Sequence, residues 1–171
     1  PLREGVRTAI VGAPNSGKST LFNKVLGQSR SIVSDQAGTT RDVVREQIYL
    51  GDVLLLLSDT AGIHQTEDSI ENEGIERSFG EISSAHLILY VVDGKKVNKN
   101  DVLANTEEIR AKNKSAVLII ASNKTDLVKG SNVENELKAL SDNGERVAYI
   151  SALTGEGLDK LESIIVDSFS N

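Results

Sequence analysis

Apolar runs of strand length alternate along this chain with segments in which apolar residues recur every three or four positions. This alternation is typical of an α/β fold built on a mostly parallel sheet. It predicts six strands, at residues 6–11, 43–50, 52–58, 86–92, 116–121 and 147–150. It also predicts five helices, at residues 19–26, 70–83, 101–112, 133–140 and 158–169.

Several local signals refine this outline. Gly51 and Asp52 mark the turn between the second and third predicted strands, which are therefore expected to form an antiparallel hairpin. The apolar run Val53–Leu57 predicts a strand buried on both faces, and Gly27 is expected to cap the first helix. The last helix carries an apolar stripe made of Leu158, Leu161, Ile165 and Phe169.

The turn after the first predicted strand fits the P-loop pattern, with the sequence Gly12-Ala13-Pro14-Asn15-Ser16-Gly17-Lys18-Ser19. Backbone N–H groups of such a loop and of the helix that follows surround phosphate groups. Lys18 is expected to reach the β- and γ-phosphates, and the Ser19 hydroxyl to coordinate Mg²⁺. The predicted nucleotide-binding residues here are Asn15, Ser16, Gly17, Lys18, Ser19 and Thr20. The alternative is a glycine-rich turn that matches by chance.

A second motif, Asp59-Thr60-Ala61-Gly62, follows the leucine-rich strand directly. Asp59 is expected to hold Mg²⁺ through a water molecule. The Gly62 N–H can approach the γ-phosphate because no side chain blocks it, so Gly62 joins the predicted catalytic residues. Alone, this tetrapeptide is equally compatible with an ordinary turn; the P-loop upstream favours the metal-binding interpretation.

A third motif, Asn123-Lys124-Thr125-Asp126, predicts a preference for guanine. Guanine presents N1–H and a 2-amino group side by side, and the Asp126 carboxylate can accept from both, which disfavours an ATP-using enzyme. Asn123 can bond the base edge and brace the loop, while the Lys124 stem can lie over the purine face. Ser151 and Ala152, after the last strand, are expected to offer backbone N–H groups to the guanine O6. A polar turn is the alternative interpretation.

The order of these motifs covers nearly the whole chain and resembles the translation-factor-related (TRAFAC-class) GTPases. The segment Ser34-Asp35-Gln36-Ala37-Gly38-Thr39-Thr40-Arg41-Asp42 is similar to switch I of the MnmE family of tRNA-modification GTPases. Glu73-Gly74-Ile75-Glu76-Arg77 also resembles that family more than Era or Der. The resemblance implies a Ras-like P-loop GTPase domain, with a six-stranded, mostly parallel sheet and helices on both faces. It also implies that Thr40 joins Mg²⁺ and the γ-phosphate.

One position departs from the Ras pattern. Ile63 stands where Ras-like proteins carry the glutamine that orients the attacking water, and no arginine occupies an evident finger position. The MnmE resemblance implies a K⁺ beside the phosphates instead, held by Asn15 and by backbone carbonyls around Ser34 and Gln36. A cation there would stabilise charge in the transition state. The alternative role for Asn15 is that of a turn residue.

Glu71 has two open interpretations. It matches the MnmE glutamate that orients the attacking water through a second water, which completes a predicted catalytic set of Lys18, Thr40, Gly62 and Glu71. The spacing of Asp68 and Glu71 is also that of a helix-capping box. Both roles can alternate if a switch helix is remodelled on binding.

Composition limits the classes of function. The net charge of −6 argues against tight nonspecific nucleic-acid binding by this segment alone. The absence of cysteine excludes disulfides and cysteine-based zinc sites. The absence of cysteine also fits a cytoplasmic location, with an organellar homologue as the alternative. No apolar run approaches the ~18 residues needed to span a bilayer, so we expect no membrane partner. Because methionine is absent, residues 1–171 are expected to be a single GTP-binding domain excised from a larger protein.

The resemblance finally implies partners and a role. Two G domains are expected to meet across their nucleotide faces as a transient homodimer. In the intact protein, GTP hydrolysis would serve modification of the tRNA wobble uridine with an MnmG-like protein, so that tRNA is an indirect partner. The alternatives are a nucleotide-dependent binding switch with slow hydrolysis, which Ile63 favours, and an Era- or Der-type ribosome-assembly GTPase. Asn15 and Glu71 favour intrinsic catalysis.

Overall fold

A computed structural model of the chain describes residues 5–13, 16–28, 30–33, 45–58, 78–79, 82–95, 98–124, 138–142 and 145–169. The strands in these ranges are β1 (Val6–Val11), β2 (Arg30–Val33), β3 (Arg45–Leu50), β4 (Val53–Ser58), β5 (Ser78–Phe79), β6 (Leu87–Asp93), β7 (Val117–Asn123) and β8 (Arg146–Tyr149). The helices are α1 (Lys18–Gln28), α2 (Lys99–Lys112) and α3 (Leu158–Phe169). A short 3₁₀ helix, Ile82–Ser84, precedes β6, and residues 138–142 are helical.

The strands form one sheet in the order β2-β3-β4-β1-β6-β7-β8, with β5 paired to β1. Strands β4, β1, β6, β7 and β8 are mutually parallel, while β2, β3 and β4 pair antiparallel. The predicted hairpin is therefore present, with Leu50 paired to Val53. The Ras-like α/β class is confirmed. Because the five parallel strands point the same way, their carboxyl ends meet at one edge, where ligands of such sheets bind.

All six predicted strands are present, but the sheet also contains β2 and β5. The strand β5 overturns the end of the predicted helix 70–83, since Ser78 and Phe79 pair antiparallel with Val11 and Ile10. The physical reason is that, among the described residues, β4 pairs with β1 from Val6 to Thr8, and the backbone groups farther along β1 take β5 as their partner. Pairing across the sheet here outweighs a local helical pattern. Residues 70–77, 80 and 81 of that prediction lie outside the described ranges, and Ile82 and Ser83 belong to the 3₁₀ helix.

The central strands are buried on both faces, with alternate residues in two separate cores. In β7, Ile119 and Ala121 pack into the core that holds α1 and α3, whereas Leu118 and Ile120 pack into the core that holds α2. This period of two is the pleat of a strand covered by helices on each side. Leu140, in the helical residues 138–142, joins the second core.

Two details differ from the sequence-based expectations. The helix α1 continues through Gly27 to Gln28, so Gly27 does not cap it. In β4, Leu55 is buried but Leu54 and Leu56 are only half-buried, so that strand is not covered equally on both faces. The apolar stripe of α3 is confirmed, with Leu158, Leu161 and Ile165 buried and Phe169 packed against the same core.

His86 joins the start of β6 to β1 by a pattern that needs a neutral imidazole. Its Nδ1 accepts from the backbone N–H of Arg7 at 3.0 Å, and the backbone N–H of His86 donates to the Arg7 carbonyl at 2.8 Å. Partial burial, followed by the positive charge of Arg7, lowers the pKa of His86 from 6.5. A lowered pKa means that the unfolded chain takes up the proton first, so this contribution to stability is present above pH 6.5 and is lost as the pH falls.

The variant His86→Asn is expected to remove this pH dependence. The asparagine Oδ1 can take the place of Nδ1 as acceptor but does not titrate. Urea unfolding of both proteins at several pH values between about 5 and 8 should therefore show wild type losing free energy of unfolding relative to the variant below about pH 6.5. A difference that stays constant over this range would contradict the assignment.

Candidate functional site

The turn between β1 and α1 forms a tight loop at the carboxyl edge of the sheet. Gly12 directly follows β1 with φ +155°, and a Cβ there would lie 2.5 Å from the Val91 carbonyl oxygen and 2.9 Å from the Ser16 Oγ. Only glycine therefore lets the loop lie this close to β6. The helix α1 begins at Lys18, so its N-terminus faces the same loop.

The side chain of Lys18 lies inside this loop. Its Nζ donates to the Gly12 carbonyl at 2.9 Å and to the Ala13 carbonyl at 3.0 Å. Lys18 is only 1% exposed, and a buried ammonium needs such partners because it has lost its water. The loop thus holds a positive charge beside a helix N-terminus, an arrangement that favours an anionic ligand.

Asn123, the last residue of β7, links three loops that lie far apart in the sequence. Its Nδ2 donates to the Ser16 carbonyl at 2.9 Å, across 107 residues. Its Oδ1 accepts from the Ala152 N–H at 2.8 Å. A Cβ at Gly17, whose φ is +109°, would collide with Asn123 Nδ2. The P-loop, the Asn123 motif and the loop after β8 are therefore linked by one buried side chain.

Lys124 continues from Asn123 in a left-handed backbone conformation, with φ +68°. Its Nζ lies 3.0 Å from Asp93 Oδ2 at the end of the neighbouring strand β6. The sequence interpretation did not include Asp93. The signal available in the sequence is its place directly after the predicted apolar strand 86–92, whereas its position beside Asn123 follows only from the pairing of β6 with β7.

The loop after β8 places Ser151 and Ala152 within the protein interior. The Ser151 N–H donates to the Glu156 carbonyl at 2.8 Å, and the Ala152 N–H donates to Asn123. Both N–H groups expected to meet the guanine O6 therefore already donate within the protein. A contact with O6 needs one of these bonds to be shared or opened, and it stays a proposal.

The remaining predicted site residues are only partly covered by the structure. The backbones of Ser19 and Thr20 lie in the first turn of α1, and the side chain of Ser19 is not among those described. The predicted site residues outside the described ranges are Asn15, Ser34, Gln36, Thr40, Asp59, Gly62, Glu71 and Asp126. Their roles in binding Mg²⁺, K⁺, water or guanine stay predictions.

The polar groups of the loop fit a nucleotide phosphate with Mg²⁺. The Ser16 hydroxyl is buried and has no hydrogen-bond partner among the residues described, which is expected where a ligand or water completes a site. The hydroxyls of Ser19 and Thr40 and the Asp59 carboxylate are hard oxygen donors of the kind Mg²⁺ prefers. Within the described ranges, no cluster of three acidic, histidine or cysteine residues forms a separate metal site. No helix in those ranges is long and apolar enough to span a membrane.

Comparison with known proteins shows the family of this chain. The sequence model of the family described as 50S ribosome-binding GTPase matches residues 7–124. Proteins named tRNA modification GTPase MnmE are 42% identical over 96% of this chain, in Chlorobium luteolum and in Aquifex aeolicus. The chain covers 34% and 35% of those two proteins, or about a third of their length.

Solved structures lead to the same fold. The G domain of the T. maritima FeoB iron transporter matches with a TM-score of 0.56 at 26% identity, over 95% of this chain and 97% of that one. The cytosolic domain of the same transporter in its apo form matches with a TM-score of 0.61 at 22% identity, over 97% of this chain and 64% of that one. The family match spans more than half of the chain and includes both the P-loop and Asn123. This chain therefore belongs to the family of 50S ribosome-binding GTPases and is a GTP-binding, GTP-hydrolysing P-loop domain.

Proposed function

We propose that this domain hydrolyses GTP by a K⁺-activated mechanism that depends on pairing with a second G domain, and that it serves tRNA wobble-uridine modification within a longer protein. The observation that carries the tRNA role is the 42% identity to MnmE proteins over nearly the whole chain. The proposed partner of the full-length protein is MnmG-like, and tRNA is engaged indirectly.

In the proposed reaction, water attacks the γ-phosphorus, the bond to the β-γ bridging oxygen breaks, and GDP and phosphate leave. Lys18 binds the β- and γ-phosphate oxygens, and the Gly62 N–H approaches the γ-phosphate. Glu71 orients the attacking water, which Ile63 cannot do. Asn123, Lys124 and Asp126 hold the base.

Cation binding is proposed at residues of this chain. Ser19 and Thr40 would hold Mg²⁺ directly, and Asp59 through water. Asn15 and the carbonyls around Ser34 and Gln36 would hold K⁺. Both cations would supply positive charge against the phosphate oxygens as negative charge develops there.

The test is GTP hydrolysis in KCl and in NaCl at equal ionic strength, over a range of protein concentrations. We expect K⁺ to raise the rate by at least about tenfold, and more at high protein concentration, because a cation and a second domain then stabilise the transition state. The variant Glu71→Ala should lose most of this stimulated rate. The matched control Glu107→Ala, on the exposed side of α2, should keep it.

Other outcomes of this test would support the competing functions. A low rate that is identical in both salts, with GTP still bound, would support a nucleotide-dependent binding switch, which Ile63 favours. Full K⁺-stimulated turnover by Glu71→Ala would leave that residue the capping-box role. The family description, 50S ribosome-binding GTPase, favours a ribosome-assembly role as the second candidate. Co-sedimentation of the domain with 50S subunits in the GTP state would support it.

A further inference from the structure

Asp93 holds Lys124 by an ion pair across two neighbouring strand ends. Asp93 is the last residue of β6 and is in register with Asn123, the last residue of β7, so Lys124 lies one residue beyond the end of β7. The two charged atoms are 3.0 Å apart, with side-chain exposures of 34% for Lys124 and 15% for Asp93. A pair this sheltered is screened less by salt than a fully exposed pair.

The Asp93 carboxylate is itself held in place. Its second oxygen, Oδ1, accepts from the Lys95 N–H at 2.9 Å. The next N–H, that of Gly94, donates to the Asn123 carbonyl at 2.8 Å, and a Cβ at Gly94 would lie 2.5 Å from that oxygen. The end of β6 therefore packs directly against the residue that links the three nucleotide loops.

The backbone of Lys124 needs such support. A non-glycine residue at φ +68° is disfavoured and persists where its surroundings determine it, as happens at functional sites. The two side-chain bonds of Asn123 fix the chain before Lys124, and the ion pair fixes the far end of its side chain. Both ends of the Lys124 stem are thus anchored at the edge of the sheet where the site lies.

We propose that Asp93 is a positioning residue for guanine nucleotide, which anchors the Lys124 ammonium so that the apolar stem presents one fixed face to the purine ring. This inference rests on the proposed role of Lys124 at the base. A lysine side chain ordered before binding does not lose its rotamer freedom when the nucleotide arrives, so the anchor raises affinity. Because Asp93 contacts the base-binding residue, its effect falls on nucleotide affinity and KM, and kcat at saturation is unchanged.

The test measures GDP affinity and GTP turnover of four proteins: wild type, Asp93→Asn, Lys124→Met and the double variant. Asparagine keeps an oxygen that can accept from Lys95 N–H, so this change removes the charge and spares the turn. We expect GDP to bind Asp93→Asn about tenfold more weakly than wild type, with kcat within about twofold. In the Lys124→Met background, where no ammonium remains to anchor, Asp93→Asn should have no further effect on affinity.

A matched control is the ion pair of Arg110 and Glu145, which has the same 3.0 Å separation. Arg110 lies in α2, and Glu145 directly precedes β8, at the end of the sheet opposite the site. Glu145→Gln should leave GDP affinity unchanged. Equal GDP affinity of Asp93→Asn and wild type would overturn the inference while leaving the nucleotide site intact. An equal loss in the Lys124→Met background would also overturn it, because the loss would then come from the turn. Absence of GDP binding by wild type would instead refute the proposed function.

Discussion

Replacing Lys18 by methionine is expected to lower GTP hydrolysis by about a thousandfold, because the change removes the buried positive charge that would face the phosphates. Lys18 Nζ is held by the Gly12 and Ala13 carbonyls, so the loop itself fixes the position of the charge. Preorganised charge of this kind loses little free energy to rearrangement during the reaction. Methionine keeps a side chain of similar length and apolar packing.

The measurement is single-turnover GTP hydrolysis together with GDP affinity. Lys24→Met is the matched control, since Lys24 lies on the same helix and is half-buried. The control should retain hydrolysis within about twofold, and circular dichroism should show that both variants are folded. Hydrolysis by Lys18→Met within about tenfold of wild type would contradict the role given to this lysine.

Replacing Asn123 by alanine is expected to weaken GDP binding by about a hundredfold or more and to lower the free energy of unfolding by about 2–4 kcal/mol. Alanine leaves the Ser16 carbonyl and the Ala152 N–H without their observed partner, and each such buried group costs free energy. The affinity falls further because the P-loop and the loop after β8 are no longer tied to β7.

Asn113 provides a control at the opposite end of β7. Its Nδ2 donates to the carbonyls of Ile82 and Ala85, and its Oδ1 accepts from the N–H groups of Ser115 and Ala116. Asn113→Ala should therefore also destabilise the fold in urea, yet bind GDP as wild type does at temperatures where both variants are folded. If both alanine variants bound GDP alike, the link formed by Asn123 would have no role in binding.

The fold was predictable from the sequence wherever the pattern of apolar residues indicated only one type of secondary structure. The strands β6 and β7 are short runs that are apolar except at their carboxyl ends, and α3 carries a stripe with the helical period, so each was predicted within one or two residues. The helix predicted at residues 70–83 was wrong at its end. Phe79 and Ile82 have helical spacing, but Ser78 and Phe79 pair with β1 as a strand. A local pattern cannot report such pairing with a strand elsewhere in the fold.

By itself the sequence determined the chemistry of the site: a glycine-rich turn before a helix, a lysine that faces it, and a guanine-type motif after a later strand. These are properties of a few adjacent residues, and backbone sterics and side-chain chemistry are enough to interpret them. Only the tertiary structure decided which distant residues support that chemistry. The bond from Asn123 to Ser16 and the ion pair from Asp93 to Lys124 depend on the order and register of the parallel strands, which bring together groups 107 and 31 residues apart. Strand order is set by the burial of two whole faces of the sheet, so no short stretch of sequence contains it.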